Sequence, residues 1–300
     1  MNLDDIKSAL LNSYEQDGGI NHLDGVNLPT QDSVQQLASD YMHLIFPGFF
    51  EETCLTKQDV PEHVAQLLAK VETRLRHETE KSLRFAKNPD PTKHAQELTI
   101  AALNELPRLR KIIQTDVAAA FAGDPAASSV EEIILAYPCV LSISLQRFAH
   151  VLYTLGVPLL PRMLTEYGHE RTGSDLHPGA KIGGHFFIDH GTGVVIGETS
   201  EIGEHVKLYQ GVALIARSTA GGQALRNQKR HPSIGDRVTV YASTTIMGGD
   251  TFIGSGSTIG GNIFVTHSVP ERSLVVMEEM GLKVLDKNAH YASLRNDWTI

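Results

Sequence analysis

The 300-residue sequence holds only two cysteines, Cys54 and Cys139, and a single tryptophan. Two thiols so far apart, in no paired spacing, exclude a disulfide framework and a cysteine-based metal centre, and they fit a reducing compartment. Long apolar runs are also missing, and none approaches the roughly 20 residues that span a bilayer. The N-terminus, Met1 to Gly18, is acidic and amphipathic, with no basic segment leading into an apolar core, so no signal peptide is expected. Positive charge is in deficit, with 26 Lys and Arg against 35 Asp and Glu for a net charge of −9. Nucleic acid and an anionic membrane surface are therefore poor candidates for the main partner. What remains is the expectation of a soluble cytoplasmic protein.

What the sequence does have is a count of six. From Leu176 aliphatic residues recur at Ile182, Ile188 and Val194, then at Ile196, Ile202, Leu208 and Leu214. The count resumes at Ile234, Val240 and Ile246, and again at Ile253, Ile259 and Val265. Glycine follows directly at Gly183, Gly197, Gly203, Gly235, Gly254 and Gly260. Six matches neither a helix face nor strand alternation, and it is the period of a parallel β-helix built from hexapeptides. Each short strand buries one aliphatic residue, glycine is expected to supply the tight turn, and the coils must stack to bury anything.

Ahead of the repeat the chain reads as helical. Apolar spacing and breakers predict helices over Met1–Gln16, Ser33–Phe46, a long run opening at Pro61, Thr92–Ala122 interrupted by Pro107, Ser128–Tyr137, Pro138–Leu155 and Pro161–Tyr167. The expected class is α + β: a helical domain over 1–172, a left-handed β-helix over 173–275 and a tail over 276–300. Within the coil, residues 215–232 lose the hexad register and carry Arg217, Arg226, Lys229 and Arg230 around Gly221-Gly222. An insertion of this kind is expelled from one edge of a solenoid, and such loops commonly carry function.

The chemistry is expected where the repeat is irregular. Asp189-His190-Gly191-Thr192-Gly193 stands where a bland repeat has turn residues. Asp175 lies fifteen residues earlier, and a coil of about eighteen residues puts it and His190 near one edge in consecutive layers. A carboxylate there fixes the imidazole tautomer and leaves the other nitrogen as a base. Glu198 adds an acid, and Arg230-His231-Pro232 returns the loop to the coil with a cation suited to a carboxylate ligand. His185, His205 and His267 read as solvated turn residues. A three-histidine zinc site from His185, His190 and His205 fits only loosely, so no metal is expected.

Asp175-Leu-His-Pro-Gly-Ala-Lys-Ile-Gly183, then Ile188-Asp-His-Gly-Thr-Gly-Val-Val-Ile-Gly-Glu-Thr199, together with Arg230-His231-Pro232 and Asp124-Pro125, resembles the serine O-acetyltransferases. These hexapeptide-repeat enzymes make O-acetylserine from L-serine and acetyl-CoA in cysteine biosynthesis. The likeness covers roughly 115–270. It implies His190 as general base with Asp175 as its orienting partner. It further implies Asp124 and Asp189 on the substrate ammonium, Arg230 and His231 on the amino acid, and Glu198 supporting the same pocket. The CoA arm would run near Ala242 and Gly261.

The same resemblance implies a pocket between neighbouring subunits of a homotrimer, or of a dimer of trimers, with L-cysteine as a feedback inhibitor. A C-terminal isoleucine, here Ile300, enters O-acetylserine sulfhydrylase in that family. The chain departs from the family pattern at Ile215-Ala216-Arg217-Ser218, in a longer loop to Arg230, and at Val276-Met277-Glu278-Glu279. These changes lie on the donor side. The alternatives are a hexapeptide acyltransferase with another acceptor or acyl donor, and a non-catalytic scaffold that binds the sulfhydrylase.

Overall fold

The computed structural model describes residues 2–277, so the expectation attached to Ile300 lies outside the described residues. The helices are α1 (Leu3–Gln16), α2 (Gln31–Ile45), α3 (Val60–Phe85), α4 (Pro91–Asn104), α5 (Leu106–Gly123), α6 (Val130–Ala136), α7 (Pro138–Thr154) and α8 (Leu160–Thr172). Side-chain caps set several starts: Asn2 with Asp5 in a capping box, Thr30 for α2, Asp90 ahead of Pro91 for α4, and Ser129 for α6. The single run expected over Thr92–Ala122 is two helices, α4 and α5, divided at Glu105. Pro107 is the reason: it has no N–H to continue the earlier helix and is tolerated only in the first turn of the next.

Contacts group the chain into two compact units, 1–111 with 144–168, and 112–143 with 169 onward. In the first unit α2 packs on α3 and α3 on α4. Leu37, Tyr41 and Ile45 of α2 are buried, as are Val71 and Leu75 of α3. Each such side chain contributes roughly 1.5–3 kcal/mol of burial. Tyr41 stacks on Phe148 with ring centres 4.5 Å apart, and its hydroxyl donates to the Ser144 carbonyl at 3.1 Å. The α1 helix forms where its apolar spacing foretold, yet Leu3, Ile6, Leu10 and Leu11 all stay exposed. Among the described residues no single helix is long and apolar enough to cross a membrane.

The second unit contains a left-handed parallel β-helix with three faces, its strands numbered in chain order. The first face stacks β1 (Asp175–Leu176), β4 (Val195–Ile196), β7 (Ala213–Ile215), β10 (Thr245–Met247) and β13 (Phe264–Val265). The second stacks β2 (Lys181–Ile182), β5 (Glu201–Ile202), β8 (Ser233–Ile234) and β11 (Phe252–Ile253). The third stacks β3 (Phe187–Ile188), β6 (Lys207–Leu208), β9 (Thr239–Val240), β12 (Thr258–Ile259) and β14 (Leu274–Val275). The hexad aliphatics face inward in register, as in Leu176–Ile196–Leu214–Ile246–Val265, and only Ile182 is less than fully buried.

Two details differ from the sequence expectation. The first coil steps 20 residues, from Lys181 to its layer partner Glu201, rather than about eighteen. The glycines that follow hexad aliphatics have no left-handed backbone, and space explains them: a β-carbon at Gly183 would strike the Gly203 carbonyl, and one at Gly254 would strike Glu271. The left-handed positions in the turns fall instead on residues such as His185, His190, His205 and Arg237.

Residues 112–143 group with the coil through specific bonds. Thr115 Oγ1 accepts the His185 N–H at 3.0 Å, and Asp116 Oδ1 accepts the Phe186 N–H at 2.9 Å. The insertion leaves the coil between β7 and β8, with Ile215 still paired to Met247, and it is pinned at both ends. Arg217 reaches Asp250 and the Thr266 carbonyl, and Lys229 donates to the Thr199 carbonyl at 2.6 Å.

Candidate active site

Turns that lead from the third face to the first form one edge of the prism, and those from the first to the second form another. On the first of these edges Asp189, at the end of β3, is buried, while His190 follows with φ of 61° and a side chain 68 % exposed. Asp189 Oδ1 lies 3.7 Å from His190 Nε2, and its other oxygen lies 3.5 Å from Lys207 Nζ. At 3.7 Å the imidazole is not hydrogen-bonded to Asp189, so the ring keeps freedom to turn toward a proton donor.

Asp124 joins this edge from the turn after α5. Its Oδ1 accepts the Ala126 N–H at 2.8 Å, and its Oδ2 accepts the Tyr137 hydroxyl at 2.5 Å. The Tyr137 bond is the main cause that holds the Asp124 carboxyl below its usual range, with Lys207 and His190 adding positive charge. The same bond pushes the Tyr137 phenol up to about 12.

Asp175 begins β1, where alternation with buried Leu176 turns its side chain outward. Its neighbour Ser174 donates to the Gly191 carbonyl at 2.8 Å, and the Gly193 N–H donates to Gly173. These bonds bring the layer of Asp175 against the turn of His190. The Asp175 carboxylate also lies within 4.8 Å of a His169 ring nitrogen.

Glu198, Arg230 and His231 occupy the other edge. Arg230 pairs with Glu198 through its guanidinium, and Thr199 organises the rest. Thr199 Oγ1 accepts the backbone N–H groups of Arg230 at 2.9 Å and His231 at 3.0 Å. The Thr199 N–H donates to His231 Nδ1 at 3.1 Å, so Nδ1 carries no proton and Nε2–H is the donor of the neutral ring. Burial, followed by the Arg230 charge, pushes the His231 pKa down to about 4. A buried neutral donor beside a guanidinium is suited to a carboxylate ligand.

The expected site residues therefore fall into two clusters. Asp124, Asp189 and His190 come together, with Asp175 in the adjoining layer; Glu198, Arg230 and His231 form the second group. A face of about six residues, roughly 17–20 Å long, separates the two edges. Ala242 and Gly261 sit in consecutive layers on the His190 edge, where the Asn262 N–H donates to Ala242 O at 2.9 Å and a β-carbon on Gly261 would crowd that carbonyl. His185 departs from its expected role: it is partly buried, its Nδ1 has no hydrogen-bond partner, and its ring stacks on His205 at 4.0 Å.

Sequence reasoning missed Lys207, Tyr137 and Thr199. Lys207 precedes the buried Leu208, so hexad register alone marks it as outward-facing. Tyr137, between two helices, carried no signal.

No family model matches the sequence. A plasmid serine acetyltransferase of Synechococcus elongatus is 42 % identical over 260 residues, covering 83 % of this chain and 81 % of that relative. The solved structure of serine acetyltransferase isoform 3 from Entamoeba histolytica, in complex with cysteine, has 31 % identity, a TM-score of 0.73 and 96 % coverage of both chains. The Neisseria gonorrhoeae serine acetyltransferase in complex with serine has 25 % identity and a TM-score of 0.55, covering 86 % of this chain and 98 % of that one.

Proposed function

The chain belongs to the serine acetyltransferase family, and from that premise we propose how its two edges divide the work. The reaction transfers the acetyl group of acetyl-CoA to the hydroxyl of L-serine. One ring nitrogen of His190 takes the hydroxyl proton while Asp175 orients the imidazole. The serine oxygen then attacks the thioester carbonyl, the carbon–sulfur bond breaks, and the imidazolium returns its proton to the departing thiolate. Serine's hydroxyl is a poor nucleophile at neutral pH, and imidazole is the base best matched to that task. No covalent enzyme intermediate is required.

One observation carries the assignment. Carboxylates beside an imidazole on one edge complement the ammonium and hydroxyl of an amino acid, and Arg230 with neutral His231 on the other complements its carboxylate. A serine molecule is far too short to bridge the two edges of one coil. The pocket therefore forms where the His190 edge of one subunit meets the Arg230 edge of the next, in a homotrimer. The exposed apolar side of α1 supports a further contact that pairs two trimers.

Acetyl-CoA enters along the His190 edge past Ala242 and Gly261. L-cysteine has the shape of L-serine and occupies the same pocket as an inhibitor, in keeping with the cysteine-bound relative from Entamoeba histolytica. Ile300 is the residue by which O-acetylserine sulfhydrylase would take up the chain, and the cytoplasm is the compartment of the reaction. Purified protein is expected to release CoA thiol from acetyl-CoA when L-serine is added. It should do so faster than with homoserine as acceptor or succinyl-CoA as donor. Equal rates across that panel would move the reading to a different hexapeptide acyltransferase.

A further inference from the structure

Lys207 is restrained more tightly than a surface lysine has reason to be. Its Nζ donates to the Gly123 carbonyl at 2.6 Å, lies 3.5 Å from Asp189 Oδ2, and sits over the rings of Phe187 at 5.0 Å and Tyr209 at 4.6 Å. The side chain is only 20 % exposed. Gly123 is shaped for this approach: a β-carbon there would lie 2.9 Å from the Phe187 ring, so any larger residue would lift the turn off the coil. Asp124 is the next residue. The turn that presents Asp124 is thus tied to the coil through one ammonium group.

We infer that Lys207 is a positioning residue for the acetyl transfer, acting on His190 through Asp189 and on the substrate through the Gly123-Asp124 turn. The inference rests on the reading of this edge as the serine site. Asp189 divides its two oxygens between His190 Nε2 and Lys207 Nζ. The cation lies against the same carboxylate that would otherwise favour the protonated imidazole, and so helps to keep His190 available as a base.

Several titratable groups face this cluster. Asp175, Asp189 and Tyr209 come from the coil, His169 lies against Asp175 from the end of α8, and Asp116, Asp124, Tyr137 and Cys139 come from residues 112–143. Asp189 and Asp116, after burial, are among the causes that push the Cys139 thiol up to about 12. Lys207 is the cation against Asp189 in this group apart from the imidazole itself.

The test compares Lys207→Gln and Lys207→Arg with the wild-type protein. In Lys207→Gln the acid limb of the kcat/KM profile for serine should move up by about half a pH unit or more. The serine KM should rise about tenfold with the acetyl-CoA KM unchanged, as expected for loss of a charge-assisted bond on the acceptor side. Lys207→Arg should restore the limb. The His190 ring resonance, assigned by its loss in His190→Ala and titrated by NMR, should show the same upward move in Lys207→Gln without reference to turnover. An unmoved resonance midpoint in a folded Lys207→Gln protein overturns the inference, even where serine-dependent turnover holds. Absence of turnover in the wild-type protein overturns the serine reading, and the resonance still decides the Lys207–His190 relationship.

Discussion

The ring of His231 fills the space that a β-carbon on Gly197 would need, so the two residues are fitted to each other across successive layers of the coil. Gly197 has no left-handed backbone to explain it; its role is to admit the ring. Gly197→Ala should therefore cost about 1–3 kcal/mol, the usual range for overpacking a filled interior. Urea unfolding read by circular dichroism measures it. An unchanged midpoint would show that His231 can move aside freely.

The same burial makes stability depend on pH. His231 has a pKa of about 4 in the folded chain, against about 6.5 when unfolded. Between these values the unfolded chain binds a proton that the folded chain refuses, so stability rises with pH. Its contribution is complete above pH 6.5 and is lost progressively as pH falls toward 4. The urea midpoint should drop between pH 7.5 and pH 5, and His231→Gln should flatten that drop. Parallel curves for the two proteins would contradict the assignment.

Tyr137 holds Asp124, and the proposed role of Asp124 on the substrate makes that bond testable. Removing its hydroxyl frees the Asp124 carboxylate from the bond that most lowers its pKa. Tyr137→Phe should raise the serine KM roughly threefold to tenfold and leave the acetyl-CoA KM alone. A change confined to kcat would place Tyr137 in another role.

The division of the site over two edges makes a sharper demand. His190→Ala and Arg230→Ala subunits are each expected to be inactive as homotrimers. When they are co-assembled at random, one interface in four joins an intact His190 edge to an intact Arg230 edge, so about a quarter of wild-type activity should return. Mixed trimers without activity would mean that each pocket is built within one chain.

Much of this was legible in the hexad itself. The inward aliphatics, the expelled loop and the irregular turn at Asp189-His190 all follow from a period that only stacked coils can satisfy. The Asp189-His190 edge stands out because glycine, aspartate and histidine replace bland turn residues there. Other features lie beyond sequence spacing. Lys207 gains its place from packing between residues 112–143 and the coil, a contact 84 residues apart along the chain, and Tyr137 from a bond to Asp124 across the turn and helix of residues 125–136. Linear spacing also gave no warning that Asp189-His190 and Arg230-His231 sit on different edges. That follows from counting faces, since each hexapeptide turns the chain by one face and loops leave from the edge where they interrupt it.

The central claim is that His190 is the base, and one rate measures it. Serine-dependent release of CoA thiol should fall by about 10²–10⁴-fold in His190→Ala. The protein should remain folded with near-normal acetyl-CoA affinity, since the proposed donor path past Ala242 and Gly261 does not use the imidazole. Full activity in a folded His190→Ala protein would contradict the account.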